Sequence, residues 1–221
     1  MSWTDKVGRM PRWAVVTLLV LLALGWRLWL GTRFYGWEES DYGNLAMVRG
    51  VLASGFTSHE LDHMPLYYAL GAAVMAVVGD AAVAARTVSL AGGLLALGLA
   101  VGLSDRVFGR RVAVVAGLLL IIQPEFALYS ASSLREPLYA GLILLSLWGL
   151  VEERPWAAGG AAAAGFFVRF DALVSMGFVL LIWVLMDRAR WKKRVRSLLP
   201  LLGAVLLWAA YYHSREGTWQ F

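Results

Sequence analysis

The chain has no cysteine and few charged residues. Of its 221 residues, 16% are Asp, Glu, Lys or Arg, whereas 60% are hydrophobic. Soluble domains carry about 25% charged residues, so this composition excludes an ordinary soluble domain and indicates a multi-span membrane protein. Because cysteine is absent, disulfide bonds and Cys-ligated metal sites are excluded as well.

Other classes of function lack their usual sequence signals. The chain contains no Gly-rich phosphate-binding loop and no dinucleotide-binding fingerprint. The net charge of +5 would suit a nucleic-acid partner, but the basic residues occur in short loops between apolar runs. That distribution sets the orientation of a membrane protein, so we expect no nucleic-acid partner.

Long apolar runs predict the fold, because a bilayer core takes roughly 20 apolar residues per helix. We predict an all-α membrane protein that forms a single transmembrane module over residues 1–221. Its helices are expected to cross a cell membrane (inner or plasma membrane) and to contact its lipids. The predicted spans are residues 11–30, 81–104, 112–129, 135–151, 155–168, 171–187 and 197–213.

The orientation depends on Pro65–Val78, an apolar segment of about 14 residues that is short for a span. If this segment crosses the membrane, the cluster Arg188–Arg196 lies outside, which the positive-inside rule disfavours. If it stays at the surface, all strongly basic loops lie inside. We therefore predict seven spans, with the N-terminus in the cytoplasm and the C-terminus outside. The outer loop, residues 31–80, also contains an amphipathic juxtamembrane helix over Ser40–Gly55.

A set of ionisable residues falls on the predicted outer face. Such groups at membrane depth are costly, which makes them candidates for function. A carboxylate can remove a proton from a nucleophile, and arginines can hold phosphate oxygens. The set therefore suits a reaction with an anionic leaving group. Its members are Glu38, Glu39, Asp41, His63, Arg86, Arg135, Glu136, Arg169 and Asp171.

Each part of this set also has a purely structural interpretation. The acids within residues 38–41 could complement the dipole at a helix N-terminus. The motif Ser133–Glu136 matches a capping box, so its acid could cap a span. Arg86 and Arg169 could extend their charges to the interface. Arg27, inside the first span, could do the same or pair with an acid.

Several short motifs occur in a characteristic order along the chain. They are Trp26-Arg27-Leu28, Glu38-Glu39-Ser40-Asp41-Tyr42, His63-Met64-Pro65-Leu66-Tyr67-Tyr68, Arg86-Thr87-Val88-Ser89, Phe108-Gly109-Arg110-Arg111, Gln123-Pro124, Ser132–Pro137 and Arg169-Phe170-Asp171. This order resembles the GT-C superfamily of polyprenyl-phosphate-sugar glycosyltransferases, in particular the protein mannosyltransferase and aminoarabinose transferase branch. The resemblance covers nearly the whole chain.

The resemblance implies transfer of a sugar from a polyprenyl-phosphate donor to a lipid, glycan or protein acceptor at the outer face, with inversion at the anomeric carbon. It implies that Glu38 is the catalytic base, with Glu39 or Asp41 in support. It also implies that Glu136 is a second acid of the site. Some members of the family use a divalent cation, here Mg²⁺ or Mn²⁺, which Glu38 and Glu136 could hold.

The donor phosphate would bind Arg135 and Arg169, together with Arg86 and His63. The chain departs from the family pattern in having Glu38 where Asp is usual and in being shorter than the members, so we expect a short form or a fragment that holds the core module. A second hypothesis is a non-catalytic subunit that binds lipid-linked sugar beside a membrane partner. A transporter or flippase is disfavoured, because no inverted repeat is visible.

Overall fold

The computed structural model of the protein describes residues 10–33, 39–54, 64–187 and 189–216. Within these ranges all regular secondary structure is helical, so the all-α prediction is confirmed for the described part. The helices are α1 (Arg12–Arg33), α2 (Glu39–Ser54), α3 (Leu66–Val78), α4 (Ala81–Phe108), α5 (Arg110–Ile122), α6 (Pro124–Ala131), α7 (Glu136–Val151), α8 (Pro155–Phe166), α9 (Ala172–Leu185), α10 (Trp191–Arg194) and α11 (Leu198–Glu216), with a 3-10 turn at Val195–Ser197.

Ion pairs join several helix ends at one end of the bundle, which we call the basic end. Asp105, near the end of α4, pairs with Arg12 at the start of α1 and with Arg110 at the start of α5, each at 2.9 Å. The neighbouring Arg106 pairs with Glu152, which follows α7, at 3.6 Å. The start of α1, the α4–α5 loop and the α7–α8 loop therefore lie together.

The basic cluster before α11 belongs to the same end. Arg194 pairs with Glu153 of the α7–α8 loop at 2.6 Å and with Asp187 at 3.7 Å. Its guanidinium lies over the Trp183 ring, 4.7 Å from the centroid, and donates to the Trp183 carbonyl at 3.0 Å. All three basic loops are thus gathered at the basic end, and each is joined to a neighbour through a carboxylate.

The opposite end of the bundle is held by hydrogen bonds between loops and helix starts, and we call it the polar end. Arg86, near the start of α4, donates to the Gly31 carbonyl near the end of α1 at 3.2 Å. The Leu66 N–H donates to the Phe167 carbonyl at 2.8 Å. With 28 residues, α4 extends about 42 Å at 1.5 Å per residue, which separates the two ends. The helices that run between the basic end and the polar end alternate in direction along the chain. They are α1, α4, α5–α6, α7, α8, α9 and α11.

Within the described ranges, three segments are long and apolar enough to cross a membrane: Arg12–Arg33, Ala81–Phe108 and Trp191–Ser214. A fourth exists if α5 and α6 form one span, although they are bent by 64°. The sequence predicted an uninterrupted helix there. The break falls at Pro124, which lacks an N–H donor and begins α6. The protein is therefore a membrane protein with at least one interrupted apolar segment.

Helix α8 packs one face closely against its neighbours, which its Ala/Gly-rich sequence allows. A Cβ added to Gly159 would overlap the Ser197 carbonyl, and one added to Gly149 would lie 2.6 Å from the Ala158 nitrogen. Small residues let helix backbones approach closely in lipid. The buried residues of this face include Ala158, Gly159, Ala161, Ala162 and Gly165.

Helices α2 and α3 lie at the polar end. The bounds of α2 agree with the predicted juxtamembrane helix to within one residue. Its inward face centres on Asn44 and Val48, both buried, whereas Leu52, expected on the same apolar face, is 46% exposed. Helix α3 ends at Gly79, whose φ of 76° suits glycine. Its 13 residues extend about 20 Å, less than a bilayer core of about 30 Å.

Candidate active site

Glu136 and Arg169 meet at the polar end. Arg169 Nη1 donates to Glu136 Oε1 at 2.7 Å, and its Nε donates to Asp171 Oδ1 at 3.0 Å. Glu136 begins α7, and Arg169 lies in the connection between α8 and α9. The two residues are 33 positions apart in the chain, so their contact depends on the packing of α7 against α8.

The second carboxylate oxygen of Glu136 is not satisfied by the pair with Arg169. Although the Glu136 side chain is 35% exposed, its Oε2 atom is buried and has no hydrogen-bond partner among the described residues. A buried acceptor without a partner is costly, so a hydroxyl donor that reached this atom would be bound favourably. The pair thus has one oxygen engaged by arginine and one buried oxygen that lacks a donor.

Arg169 keeps its positive charge in this setting. Partial burial acts to lower the pKa of Arg169, but its hydrogen bond to Asp171 and the charges of Asp171 and Glu136 outweigh that effect. The pKa of Arg169 is therefore raised above its ordinary value. Its Nη2 atom hydrogen-bonds none of the described residues, so this cationic group can still donate to an anionic ligand.

Tyr139 and Ser175 orient the arginine. The guanidinium carbon of Arg169 lies 5.7 Å from the centre of the Tyr139 ring. The Tyr139 hydroxyl is 3.0 Å from Ser175 Oγ, which is itself 3.0 Å from the Asp171 carbonyl. Neither residue was predicted for the site. Tyr139 lies one helical turn after Glu136, where the i,i+3 spacing of a helix places neighbours on one face, and this spacing was the available signal.

Arg135 is held next to Glu136 by residues from α2 and α3. The Tyr68 hydroxyl donates to Asn44 Oδ1 at 2.9 Å, and Asn44 Nδ2 donates to the Ser133 carbonyl at 2.7 Å. The Tyr68 hydroxyl also experiences the charges of Arg135 and Glu136. The surface helices are therefore tied to the connection that carries Arg135 and Glu136.

A second set of hydrogen bonds fixes the same connection from α4. Ser89 Oγ donates to the Leu134 carbonyl at 2.6 Å and lies 3.0 Å from the Tyr67 hydroxyl. Tyr67 and Ser89 are completely buried. Buried polar networks of this kind restrict a segment to one position when their members are satisfied. They position the start of α7, and with it Glu136.

The capping-box interpretation of Glu136 is wrong. The N-cap of α7 is Arg135, not Ser133, and it makes no side-chain capping hydrogen bond. Glu136 instead directs its carboxylate to Arg169. The interpretation that Arg169 only extends to the interface is incomplete, since both its Nε and its Nη1 are paired with carboxylates.

Several predicted site residues do not belong to the described cluster. Glu38 and His63 lie outside the described residues. Glu39 and Asp41 belong to the first turn of α2, but their side chains lie outside the described part. Arg86 lies on α4 and lines a cavity between α1, α4 and α6. The structure therefore places four of the predicted site residues close together: Arg135, Glu136, Arg169 and Asp171. It places Arg86 beside α1 instead.

The described residues alone do not form a metal site. They contain no group of three or more His, Cys, Asp or Glu residues able to hold a metal ion. One oxygen of Glu136 is already bonded to the cationic Arg169, which opposes a second positive charge there. A cation shared by Glu38 and Glu136 would depend on Glu38, outside the described part.

An apolar cavity lies beside the α8–α9 connection. Its volume is about 310 Å³, and it is lined by Pro65, Phe167, Leu207, Trp208 and Tyr211. The Phe167 and Trp208 rings pack edge to face, with centroids 6.4 Å apart. Because Phe167 precedes Arg169 by two residues, the cavity offers an apolar surface next to the acid–arginine cluster.

The fold and this cluster define a helical membrane protein with an acid–arginine site at one end of its bundle. The family model for dolichyl-phosphate-mannose-protein mannosyltransferase matches residues 62–213, and the chain belongs to this glycosyltransferase family. The resemblance seen in the sequence motifs is thereby confirmed. The matched region includes Arg86, Arg135, Glu136 and Arg169 but begins after the acid-rich stretch. No curated protein and no solved structure matches the chain.

Proposed function

We propose that the protein transfers a sugar from a polyprenyl-phosphate donor to an acceptor at the outer face of the cell membrane. The observation that carries this proposal is the Glu136–Arg169 pair at the polar end, in a chain of the mannosyltransferase family. The adjacent apolar cavity supports it, because a polyprenyl donor brings a long apolar chain together with an anionic group.

The proposed topology has seven spans in one module: α1, α4, α5–α6, α7, α8, α9 and α11. The N-terminus lies in the cytoplasm and the C-terminus outside. The gathering of the basic loops at one end supports this orientation, since cytoplasmic loops carry an excess of Lys and Arg. Helices α2 and α3 then lie at the outer surface, and the polar end faces outward.

The leaving group of the proposed reaction is a polyprenyl phosphate. The bond between the anomeric carbon and the phosphate oxygen breaks as a bond from the acceptor oxygen forms on the opposite face, so the configuration inverts. Negative charge develops on the departing phosphate. Arg169 and Arg135, with His63, are proposed to neutralise it. Prearranged cationic donors of this kind stabilise a transition state strongly, and losing one typically costs a factor of about 10²–10³ in rate.

The acid residues take the proton and orient the sugar in this proposal. Glu38 accepts the proton of the acceptor hydroxyl as the new bond forms, with Glu39 or Asp41 in support. Glu136 Oε2, buried and without a described partner, accepts a hydrogen bond from a sugar hydroxyl. Binding of Mg²⁺ or Mn²⁺ by Glu38 and Glu136 stays a prediction, and the proposed proton transfer and phosphate release do not depend on it.

The donor class can be tested with the purified full chain in vesicles. The vesicles would receive polyprenyl-phosphate-[¹⁴C]mannose together with a membrane extract as the acceptor source, and released polyprenyl phosphate would be quantified. Parallel reactions with a nucleotide-linked sugar serve as the control. We expect only the lipid-linked donor to be consumed. A donor that is bound but never consumed, even with co-purified partners, would contradict transfer and support a binding subunit.

A further inference from the structure

Arg27 is a buried arginine inside α1 with two unpaired nitrogens. Its side chain is 1% exposed, and its Nη1 makes only a long hydrogen bond, 3.4 Å, to the Ala23 carbonyl. The guanidinium carbon lies 5.2 Å from the centre of the Phe126 ring. Nε and Nη2 are buried and have no hydrogen-bond partner among the described residues. Within that part of the chain no acid pairs with Arg27, so the expectation that it pairs with an acid is not met there.

A buried guanidinium of this kind is strongly destabilising unless a counter-charge or acceptor satisfies it. The Phe126 ring compensates only one face of the group. Ionisable residues within membrane helices mark sites of function by default. The two unpaired nitrogens of Arg27 therefore indicate an anionic or strongly accepting ligand that reaches them.

A cavity lies where such a ligand would bind. It has a volume of about 270 Å³ between α1, α4 and α6, and Arg27 and Arg86 both line it. Arg86 is anchored there by its hydrogen bond to the Gly31 carbonyl at 3.2 Å. Ser130 of α6 also lines it, with its hydroxyl donating to the Phe126 carbonyl at 2.6 Å. Two arginines from different helices thus line one small cavity.

The cavity opens on the side of the bundle that faces lipid. Among its lining residues, Leu28 of α1 and Val83 of α4 are 54% and 53% exposed, and both helices are long and apolar enough to cross the membrane. Arg27 lies less than two turns before α1 ends at Arg33, about 9 Å along the helix axis. The opening is therefore close to the polar end, at the depth of lipid head groups.

We propose that this cavity binds the phosphate head group of a membrane lipid, whose apolar chains remain in the bilayer beside α1 and α4. Arginine pairs suit phosphate because their N–H groups donate to its oxygens in a fixed geometry. At about 30 Å³ per water molecule, the cavity has room for a phosphate group. Its described lining residues are distinct from those of the apolar cavity at Phe167 and Trp208. Binding here does not require sugar transfer.

Lipid binding by the purified full chain in a phosphate-free maltoside detergent tests the proposal. The probes are radiolabelled polyprenyl phosphate, phosphatidylglycerol and inorganic phosphate. The variants are Arg27→Met, Arg27→Lys and the control Arg33→Met, which changes an exposed arginine at the end of α1. Each is also measured in an Arg169→Gln background, which removes binding at the proposed donor site.

We expect the wild type and Arg33→Met to bind a phosphate lipid with a Kd about tenfold or more below that of Arg27→Met, with Arg27→Lys intermediate. A preference for polyprenyl phosphate would identify a monoester lipid, and equal binding of phosphatidylglycerol would identify anionic phospholipids in general. Both results support the proposal. Without lipid, Arg27→Met should unfold at the same or a higher temperature than the wild type, because it removes a buried charge.

Two results would overturn the proposal. One is equal lipid affinity for the wild type, Arg27→Met and Arg27→Lys, since the buried guanidinium would then contribute nothing to binding. The other is binding of inorganic phosphate with no binding of either lipid, which would assign the cavity to a free anion. If Arg27→Met does not fold, Arg27→Lys gives the same comparison, and undiminished lipid binding by that variant would contradict the proposal.

Discussion

Arg169 Nη1 and Glu136 Oε1 are 2.7 Å apart. The pair joins the α8–α9 connection to the start of α7, at the end of the bundle opposite the basic loops. It leaves Glu136 Oε2 and Arg169 Nη2 without described hydrogen-bond partners. An acceptor and a cationic donor are therefore presented side by side. This combination suits a sugar hydroxyl beside a phosphate, which are the two parts of the proposed donor.

Loss of the Arg169 charge should reduce sugar transfer. Arg169→Gln is expected to lower kcat by about 10²–10³-fold, because the charge on the departing phosphate loses one prearranged donor. Arg33→Gln, which changes an exposed arginine of α1, should leave the rate unchanged. The measurement is steady-state release of polyprenyl phosphate by each variant.

The same assay can show that Glu136 and Arg169 act together. Residues in direct contact show non-additive effects in a double-mutant cycle. We therefore expect Glu136→Gln combined with Arg169→Gln to cost less than the product of the single effects. Fully multiplicative losses would show that the pair does not work as a unit in the reaction.

Ser89 should stabilise the connection between α6 and α7. Ser89→Ala leaves the buried Leu134 carbonyl without its hydroxyl donor, which should lower the free energy of unfolding by about 1–3 kcal/mol. Thr87→Ala is the matched control on the same helix, because its exposed hydroxyl donates only to the Val83 carbonyl of α4. Thermal unfolding in detergent should separate the two variants, and equal melting temperatures would contradict this role of Ser89.

Two adjacent glycines of α8 should respond differently to alanine. A Cβ at Gly159 would overlap the Ser197 carbonyl, whereas one at Gly160 meets no atom within 4 Å. Gly159→Ala should therefore destabilise the protein by about 1–3 kcal/mol through overpacking. Gly160→Ala should be neutral or stabilise it by roughly 0.5–1 kcal/mol, since alanine is the better helix former. Equal changes in melting temperature for Gly159→Ala and Gly160→Ala would show that α8 does not pack against Ser197 in this way.

Glu153 should make the basic end sensitive to acid. The hydrogen bond from Arg194 lowers the pKa of Glu153; burial acts in the opposite direction, and the nearby charges of Arg194, Arg190 and Lys193 add to the lowering. Its contribution to stability is therefore complete above the ordinary carboxyl pKa of about 4.3 and is lost as the pH falls through the lowered folded-state value.

Glu153→Gln tests this dependence. The variant should melt below the wild type at pH 7, and the difference should shrink as the pH falls towards and below the folded-state pKa. Glu125→Gln, which changes an exposed acid in the first turn of α6, is the control and should show no comparable difference. A difference between Glu153→Gln and the wild type that is independent of pH would contradict the proposed ion pair with Arg194.

The sequence predicted the helical segments well, because long apolar runs and basic loops are local signals. The sequence analysis did not predict the break between α5 and α6 at Pro124, although the proline itself was visible. It lies inside the predicted span 112–129, which was expected to be continuous. The sequence placed Glu136 and Arg169 on the same predicted outer face but did not predict that they touch. The distance between them and the unpartnered oxygen depend on packing between helices distant in the chain.

Other features of the site had little or no local signal. Tyr139 and Ser175 belong to apolar helices. Only the spacing of Tyr139 from Glu136 pointed to the site, and the contacts of Tyr139 with Arg169 and of Ser175 with Tyr139 become visible only when α7, α8 and α9 are assembled. Arg27 was noticed as an intramembrane charge, expected either to extend to the interface or to pair with an acid. The structure instead places Arg27 and Arg86 on one cavity, a relationship between α1 and α4 that sequence spacing does not reveal.

The most direct test of the account is sugar transfer by Glu38→Gln, because the proposed reaction depends on a carboxylate base in the first outer loop. General acid–base catalysis contributes about 10²–10⁴-fold, so we expect a rate loss of that size with donor binding retained. Asp80→Asn is the control, because Asp80 caps α4 through Oδ1 and asparagine caps equally well. Full transferase activity of Glu38→Gln, equal to that of Asp80→Asn and the wild type, would contradict the proposed mechanism.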